Sequence, residues 1–271
     1  MSVLRDFYRR LLRKTFALLV RDSFKVHRIP LGPIAGCYIY MKPSISPRMY
    51  LGIDEKDLAR TATRLIWKND CVYDVGAHIG YTSILFGKLV GTGGSVQAFE
   101  LMPSTAEVLR KSLALNNLKQ CRVHTVGLGD IERKITLARG LTYMGSLYDS
   151  TQSHAGTNDE ACVVARLDGY CVVNQLPPPH FIKMDIESAG LDALHGARQT
   201  LLDSTPMLFV EFHDLSLLKD GLDWLSDLGY TLQLLAGSVL TREFVGRLSS
   251  FHQTVLCYKL SCHWHTERLS R

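Results

Sequence analysis

"VYDVGAHIGYTSILFG", residues 72–87, decides the fold: an apolar, β-prone run ends on Asp74, crosses Gly76 and Gly80, and passes at once into a helical apolar pattern. Strand, glycine turn and helix in immediate succession form the winding unit of a parallel sheet, because glycine admits the tight turn and close backbone approach between them.

Working outward, the unit repeats. CVYDV is a strand, 79–90 a helix, SVQAFE a strand, 103–117 a helix and RVHTV a third strand. HFIKMDI, the helix 189–203, PMLFVEFH and the helix 215–228 continue the alternation. Right-handed crossovers then give a mostly parallel sheet with helices on both faces. YTLQLL and TVLCYKL follow with no comparable helical pattern between them, which predicts an antiparallel edge. Residues 131–170 break the rhythm: ITLAR, GSLYDS and CVVARLDGY read as short extended pieces, a β insertion after the third strand. Three consecutive prolines, 177–179, lead rigidly into the fourth strand.

Residues 1–69 read as a helical and irregular extension, and 70–265 as the main domain. LRDFYRRLLRKTFALLV sets Leu4, Phe7, Leu11, Leu12 and Phe16 near helical spacing with Arg9, Arg10, Arg13 and Lys14 between them. Such a basic amphipathic helix packs on a domain edge with its charged face in water, or touches a membrane surface weakly. Residues 29–52, rich in Pro and Gly, read as an irregular stretch or small hairpin.

Over 271 residues, 31 Lys and Arg stand against 26 Asp and Glu, a net charge of +5. An excess this small and this spread argues against a dedicated nucleic-acid binder. No apolar run approaches the ~20 residues of a membrane-spanning helix, and FALLV is too short for a secretory signal. The seven cysteines, odd in number and without a CxxC pair, read as reduced packing residues of a cytoplasmic protein. Cys257, Cys262, His263 and His265 cluster in the tail, but not at the spacing of a known zinc module, and no metal is expected.

Ligands of such sheets bind beyond the carboxyl ends of the strands. A dinucleotide fingerprint would place further glycines two and five residues after Gly76; His78 and Tyr81 stand there, too bulky for a pyrophosphate cradle. That disfavours an NAD-dependent oxidoreductase, and no GxxxxGK[ST] points to a triphosphatase. Glu100, ending the second strand, is spaced to accept from two ribose hydroxyls, and Asp130 after the third strand to accept from an exocyclic amine. With Asp74 they make an acidic ring, poor for phosphate and suited to an adenosine bearing a cationic centre, as in S-adenosylmethionine.

VYDVGAHIGYTS, VQAFELMPSTAEVLRKSLALNN, FIKMDIESAGLDALHGARQTLL and PMLFVEFH together resemble the FkbM-like S-adenosylmethionine-dependent methyltransferases, over roughly residues 70–214. The resemblance implies a Rossmann-like class I methyltransferase fold with a seven-stranded sheet, Gly76 to Gly80 around the amino-acid end of the cofactor, and Glu100 on its ribose. It also implies methylation of a hydroxyl oxygen on a small molecule or sugar. Where the family reads DVGANIG, FEP and K-[IV]-D-[VI]-E-G-x-E, this chain has His78, Leu101, Ser188 and Gly190, while Lys183, Asp185 and Glu187 remain.

The cofactor is therefore expected against Asp74, Gly76, Ala77, His78, Gly80 and Tyr81 of the first turn, Glu100 and Leu101 of the second, Gly129 and Asp130 of the third, and Asp185 of the fourth. Asp185, Glu187 and His213 are the catalytic candidates, because a hydroxyl acceptor needs somewhere to send its proton. Glu211 and Ser188 are expected in the acceptor pocket, and Lys183 is read as an ion-pairing residue. One rival is a non-catalytic protein of the same fold, since the altered ESAG segment has lost a carboxylate. The other is a nucleic-acid methyltransferase docking through the basic N-terminal helix; against it, the chain has no Asn-Pro-Pro-Tyr-like motif.

Overall fold

The computed structural model describes residues 23–44, 46–138, 159–186, 189–248 and 253–270. The basic N-terminal helix, GSLYDS, and Glu187 with Ser188 fall outside the described residues.

Seven strands build the main sheet: β1 Cys71–Val75, β2 Ser95–Glu100, β3 Cys121–Thr125, β4 Phe181–Met184, β5 Met207–Phe212, β6 Thr231–Leu234 and β7 Gln253–Tyr258. Their spatial order is β6-β7-β5-β4-β1-β2-β3, a Rossmann-like, mostly parallel sheet. All adjacent pairs from β3 to β5 are parallel. β7 slots between β5 and β6, antiparallel to both, so the antiparallel strand lies one place in from the edge. Chain order reverses between β1 and β4, which makes their carboxyl ends the topological switch point where such sheets bind ligands.

Every residue of β1 is buried, and its alternating side chains feed two cores. On one face Val72 and Phe181 meet Ile84, Phe86 and Leu109; on the other Tyr73, Val75, Ile182 and Met184 meet Leu201, Leu208 and Leu222. The first core continues into the N-terminal part of the chain. A hairpin pairs Lys25–Arg28 with Tyr38–Met41, and the helix Lys56–Leu65 follows, with Ile29, Ile39, Met41, Leu58 and Leu65 in the same apolar cluster as Ile84 and Phe86.

The insertion is a small sheet in which Asp159–Ala165 pairs with Gly127–Leu128 and with Arg133–Ala138. The expectation that CVVARLDGY is extended throughout is corrected: the strand stops at Ala165 and a helix runs over Leu167–Asn174. Its Asp168 explains a second difference, the division of the expected helix 189–203 into Gly190–Gly196 and Arg198–Asp203. The Asp168 carboxylate accepts from the Gln199 and Thr200 amides at 3.0 and 2.8 Å, capping a fresh helix start. No described helix is long and apolar enough to cross a membrane.

Candidate functional site

Register assembles the site. Val75 and Val210 both stand opposite Met184, so the next residues, Gly76, Asp185 and Glu211, lie at one level at the carboxyl ends of the three strands. One step back, Asp74 stands opposite Lys183. Gly76 has φ +78° and runs so close to β4 that a Cβ there would lie 2.1 Å from the Asp185 carbonyl oxygen. The glycine therefore brings the first turn onto the end of the fourth strand.

Asp74 is fully buried: the Thr82 and Ser83 hydroxyls donate to its Oδ2 at 2.8 and 2.5 Å, and its Oδ1 lies 3.8 Å from Lys183 Nζ. It was expected against the cofactor; with 0% exposure it offers no surface to a ligand and instead ties the turn to the helix Tyr81–Val90. Ala77, Gly80 and Tyr81 are likewise buried, behind the turn, whereas Gly76, His78, Leu101, Asp130 and Asp185 keep exposed surface. Gly129 is buried and holds the insertion in place by donating its N–H to the Ala165 carbonyl at 3.0 Å.

Lys183 is 4% exposed, and its Nζ lies 3.5 Å from Asp185 Oδ2 and 3.2 Å from the Gly76 carbonyl oxygen. Burial opposes its charge, but Asp185, Asp74, Glu55 and Glu211 around it raise its pKa, so the ammonium persists. The other oxygen of Asp185, Oδ1, meets His213 Nε2 at 3.1 Å. Burial again works against the Asp185 charge, yet Lys183 and His213 outweigh it and hold the carboxyl well below the usual range. Asp185, Glu211 and His213 each bring a ligand-type atom within 4.8 Å of the others, and all three are half-buried.

A fourth acid arrives from a direction the sequence did not suggest. Glu55, at the N-terminus of the helix Lys56–Leu65, has φ +49°. Burial pushes its pKa up to about 7 against the attraction of Lys183, with Glu211, Asp185 and Asp54 adding repulsion. Tyr81 fixes the same segment by donating its O–H to the Asp54 carbonyl at 3.4 Å. Residues 54 and 55 thus close the site from the part of the chain read as an extension. The isolated acid pair Asp54-Glu55 before a helix carried no signal beyond an ordinary helix start.

Glu100 accepts the His78 amide on Oε2 at 2.9 Å and the Met102 amide on Oε1 at 3.0 Å. A carboxylate has about four lone-pair positions, so these bonds orient Glu100 across the turn and leave acceptor capacity for two vicinal hydroxyls. Burial pushes its pKa up, against the two amides. His78 has φ +49°, the left-handed region that asparagine tolerates better than most residues, which accounts for the asparagine usual at this place in the resembling family. Burial and then Lys183 lower its pKa to about 4, so the imidazole is neutral at pH 7. Arg166 Nη1 donates to the Asp130 carbonyl at 2.5 Å, fixing the turn after β3. Acceptors on Glu100 and the carboxylates around Lys183 suit a ligand that offers hydroxyl donors and positive charge.

The family model described as the methyltransferase FkbM domain matches residues 74–232. Among solved structures, the chain is similar to a methyltransferase FkbM from Methylobacillus flagellatus KT, with 20% identity and a TM-score of 0.49. That match covers 70% of this chain and 44% of the other, so this chain spans less than half the length of that protein. It is also similar to a precorrin-6y C5,15-methyltransferase from Geobacter metallireducens GS-15 (14% identity, TM-score 0.47, 76% and 88% covered). A third similarity is to Aeropyrum pernix fibrillarin in complex with S-adenosyl-L-methionine (11% identity, TM-score 0.45, 71% and 68% covered). A search of curated proteins returned no match.

Proposed function

The chain belongs to the FkbM methyltransferase domain family, and from that premise we propose that it uses S-adenosylmethionine to methylate a hydroxyl oxygen of a small molecule or sugar. The observation that carries the reading is the cluster Asp185–Glu211–His213 set at one level with the Gly76 turn. Gly76, His78, Leu101, Glu100 and Asp130 would hold the cofactor, Glu100 through the ribose hydroxyls and Asp130 through the adenine amine. Bound there, S-adenosylmethionine supplies an electrophilic methyl on a sulfonium that leaves as a neutral thioether once the carbon–oxygen bond forms.

What the protein adds is position and a destination for the proton. With His213 Nε2–H donated to Asp185 Oδ1, Nδ1 is the basic nitrogen of that tautomer and takes the hydroxyl proton. Asp185 stays ionised beside Lys183 and stabilises the imidazolium so formed. Positioned proton transfer of this kind contributes roughly 10²–10⁴-fold. Glu211, on the adjacent strand, faces the acceptor and prefers one rich in hydroxyl donors.

Calorimetry with S-adenosylmethionine and S-adenosylhomocysteine tests the cofactor, with Glu100→Ala as the control. Micromolar binding lost in the variant is expected; a well-folded protein that binds neither would sink the reading. Small and dispersed basic charge favours a small-molecule acceptor over nucleic acid.

A further inference from the structure

We propose that Asp185, Glu211 and His213 bind a divalent cation of the magnesium–manganese class, which receives the oxygen of the acceptor. The inference rests on the methyltransferase reading for the cation's purpose, but not for its binding.

Three features of the cluster carry it. First, two carboxylates and one imidazole on adjacent strand ends bring one ligand atom each within 4.8 Å of one another, close enough to share a single ion. Glu211 lies in β5, the Asp185 amide holds the end of β4 to the Val75 carbonyl at 3.2 Å, and His213 is the first residue past β5, so the sheet fixes the backbone of the two carboxylates.

Second, Asp185 is already oriented as a ligand. Its Oδ2 is engaged by Lys183 at 3.5 Å while Oδ1 points to His213 at 3.1 Å. A cation placed between Oδ1, Glu211 and His213 takes the Nε2 lone pair as the ring proton shifts to Nδ1, and leaves Lys183 where it is. Lys183 then acts as the outer partner that fixes ligand direction, a role that outer groups commonly fill at metal sites.

Third, several acids crowd the one buried ammonium. Asp74, Asp185, Glu211 and Glu55 all interact with this one ammonium. Asp74 Oδ1 is buried with no hydrogen bond and only the distant lysine opposite it. Mixed nitrogen and oxygen donors suit manganese, and magnesium when oxygen dominates.

Bound there, the cation would ligate the acceptor hydroxyl and lower its pKa, so that the proton passes from the coordinated oxygen to solvent water and His213 serves as ligand instead of base. In the metal-free protein His213 keeps the role given above. The three ligands lie 26 and 2 residues apart, a spacing that matches no metal-binding motif, so strand register alone brings them together.

The test is a manganese(II) titration of the full chain followed by electron paramagnetic resonance, with S-adenosylhomocysteine binding measured in parallel. Wild type should bind one manganese ion, with magnesium competing. Glu211→Gln and His213→Ala, both at half-buried positions, should each weaken manganese at least about tenfold while the homocysteine product still binds. No manganese bound at millimolar concentration, or equal binding by wild type and both variants, overturns the proposal. A variant that loses its circular dichroism signature has lost the fold, and the other variant then decides. Manganese lost in the variants but no cofactor analogue bound by any form would leave the cation site standing and remove the methyltransferase reading.

Discussion

At Gly76 two demands meet on one residue. The backbone takes φ +78°, and a Cβ would stand 2.1 Å from the Asp185 carbonyl oxygen and 2.8 Å from Ile186 Cγ2. Alanine would strain the turn and push the end of β4 away from β1, carrying with it the carboxylate that Lys183 and His213 share. Gly76→Ala is therefore expected to lower stability by about 2 kcal/mol or more, combining left-handed strain with overpacking. Urea denaturation measures this directly, and a variant as stable as wild type would show that β4 can retreat at little expense. The neighbouring carboxylate Asp74 shows the limit of reading single letters. Its place before the turn suggested a ligand contact, but strand register set it opposite Lys183 and the helix hydroxyls closed over it.

The helix Lys56–Leu65 tests whether the N-terminal part of the chain belongs to the same cooperative body as the main sheet. Leu58, Ala59, Ala62 and Leu65 are buried along one face, and they join the cluster that includes Ile84, Phe86 and Phe181 under the main sheet. Truncating Leu58, which is 1% exposed, removes methyl groups from a closed interior. Leu58→Ala should cost about 2–5 kcal/mol of global stability, read as a shifted urea midpoint in a single transition. A small first transition with the sheet's midpoint unchanged would instead make residues 23–65 an appendage. Strands and helices from Cys71 to Leu115 were legible in the sequence because each is a local apolar period bounded by glycine or proline. The helix start at Arg198 was not, because its capping carboxylate, Asp168, lies about 30 positions away. For the same reason Glu55 escaped notice as a site residue: its neighbours Lys183 and Glu211 are brought to it by packing alone. Asp185 and His213 could be named from the ends of their strands, but their shared bond could not, since strand register is invisible in either motif.

Across the whole molecule, buried neutral histidines set how the fold responds to acid. His124 stacks on Phe99 with ring centroids 4.8 Å apart and lies between Gln97 Oε1 at 2.9 Å and the Tyr170 hydroxyl at 3.2 Å. Gln97 Oε1 can only accept, so Nε2–H donates to it and Nδ1 accepts from Tyr170. A proton added to Nδ1 would force the Tyr170 hydroxyl to turn from donor to acceptor, and the charged groups facing the ring, Arg122 and Arg110, are both cations. Burial first, then these arginines, lower its pKa from 6.5 to about 4. His265 repeats the arrangement at the other end of the sheet. It is fully buried, its Nδ1 accepts from the Lys259 amide at 2.8 Å, and Arg268 and Lys259 face it. Burial again dominates and brings it to about 4. The sign follows from linkage: between pH 6.5 and 4 the unfolded chain binds protons that these folded sites refuse, so acid favours unfolding. The stabilisation is complete above pH 6.5 and is lost as pH falls toward 4, with a slope of up to about 1.4 kcal/mol per pH unit for each histidine. Unfolding free energies measured from pH 7.5 to 4.5 should show this decline, and the double variant His124→Gln, His265→Gln should flatten it, because the slope that His78 supplies at the turn is opposed by Glu55, whose pKa is raised from 4.5 to about 7 so that the folded protein binds its proton first. An unchanged slope in the double variant would mean that the two rings already carry protons in the folded protein, and that the arginines beside them are held by some other charge.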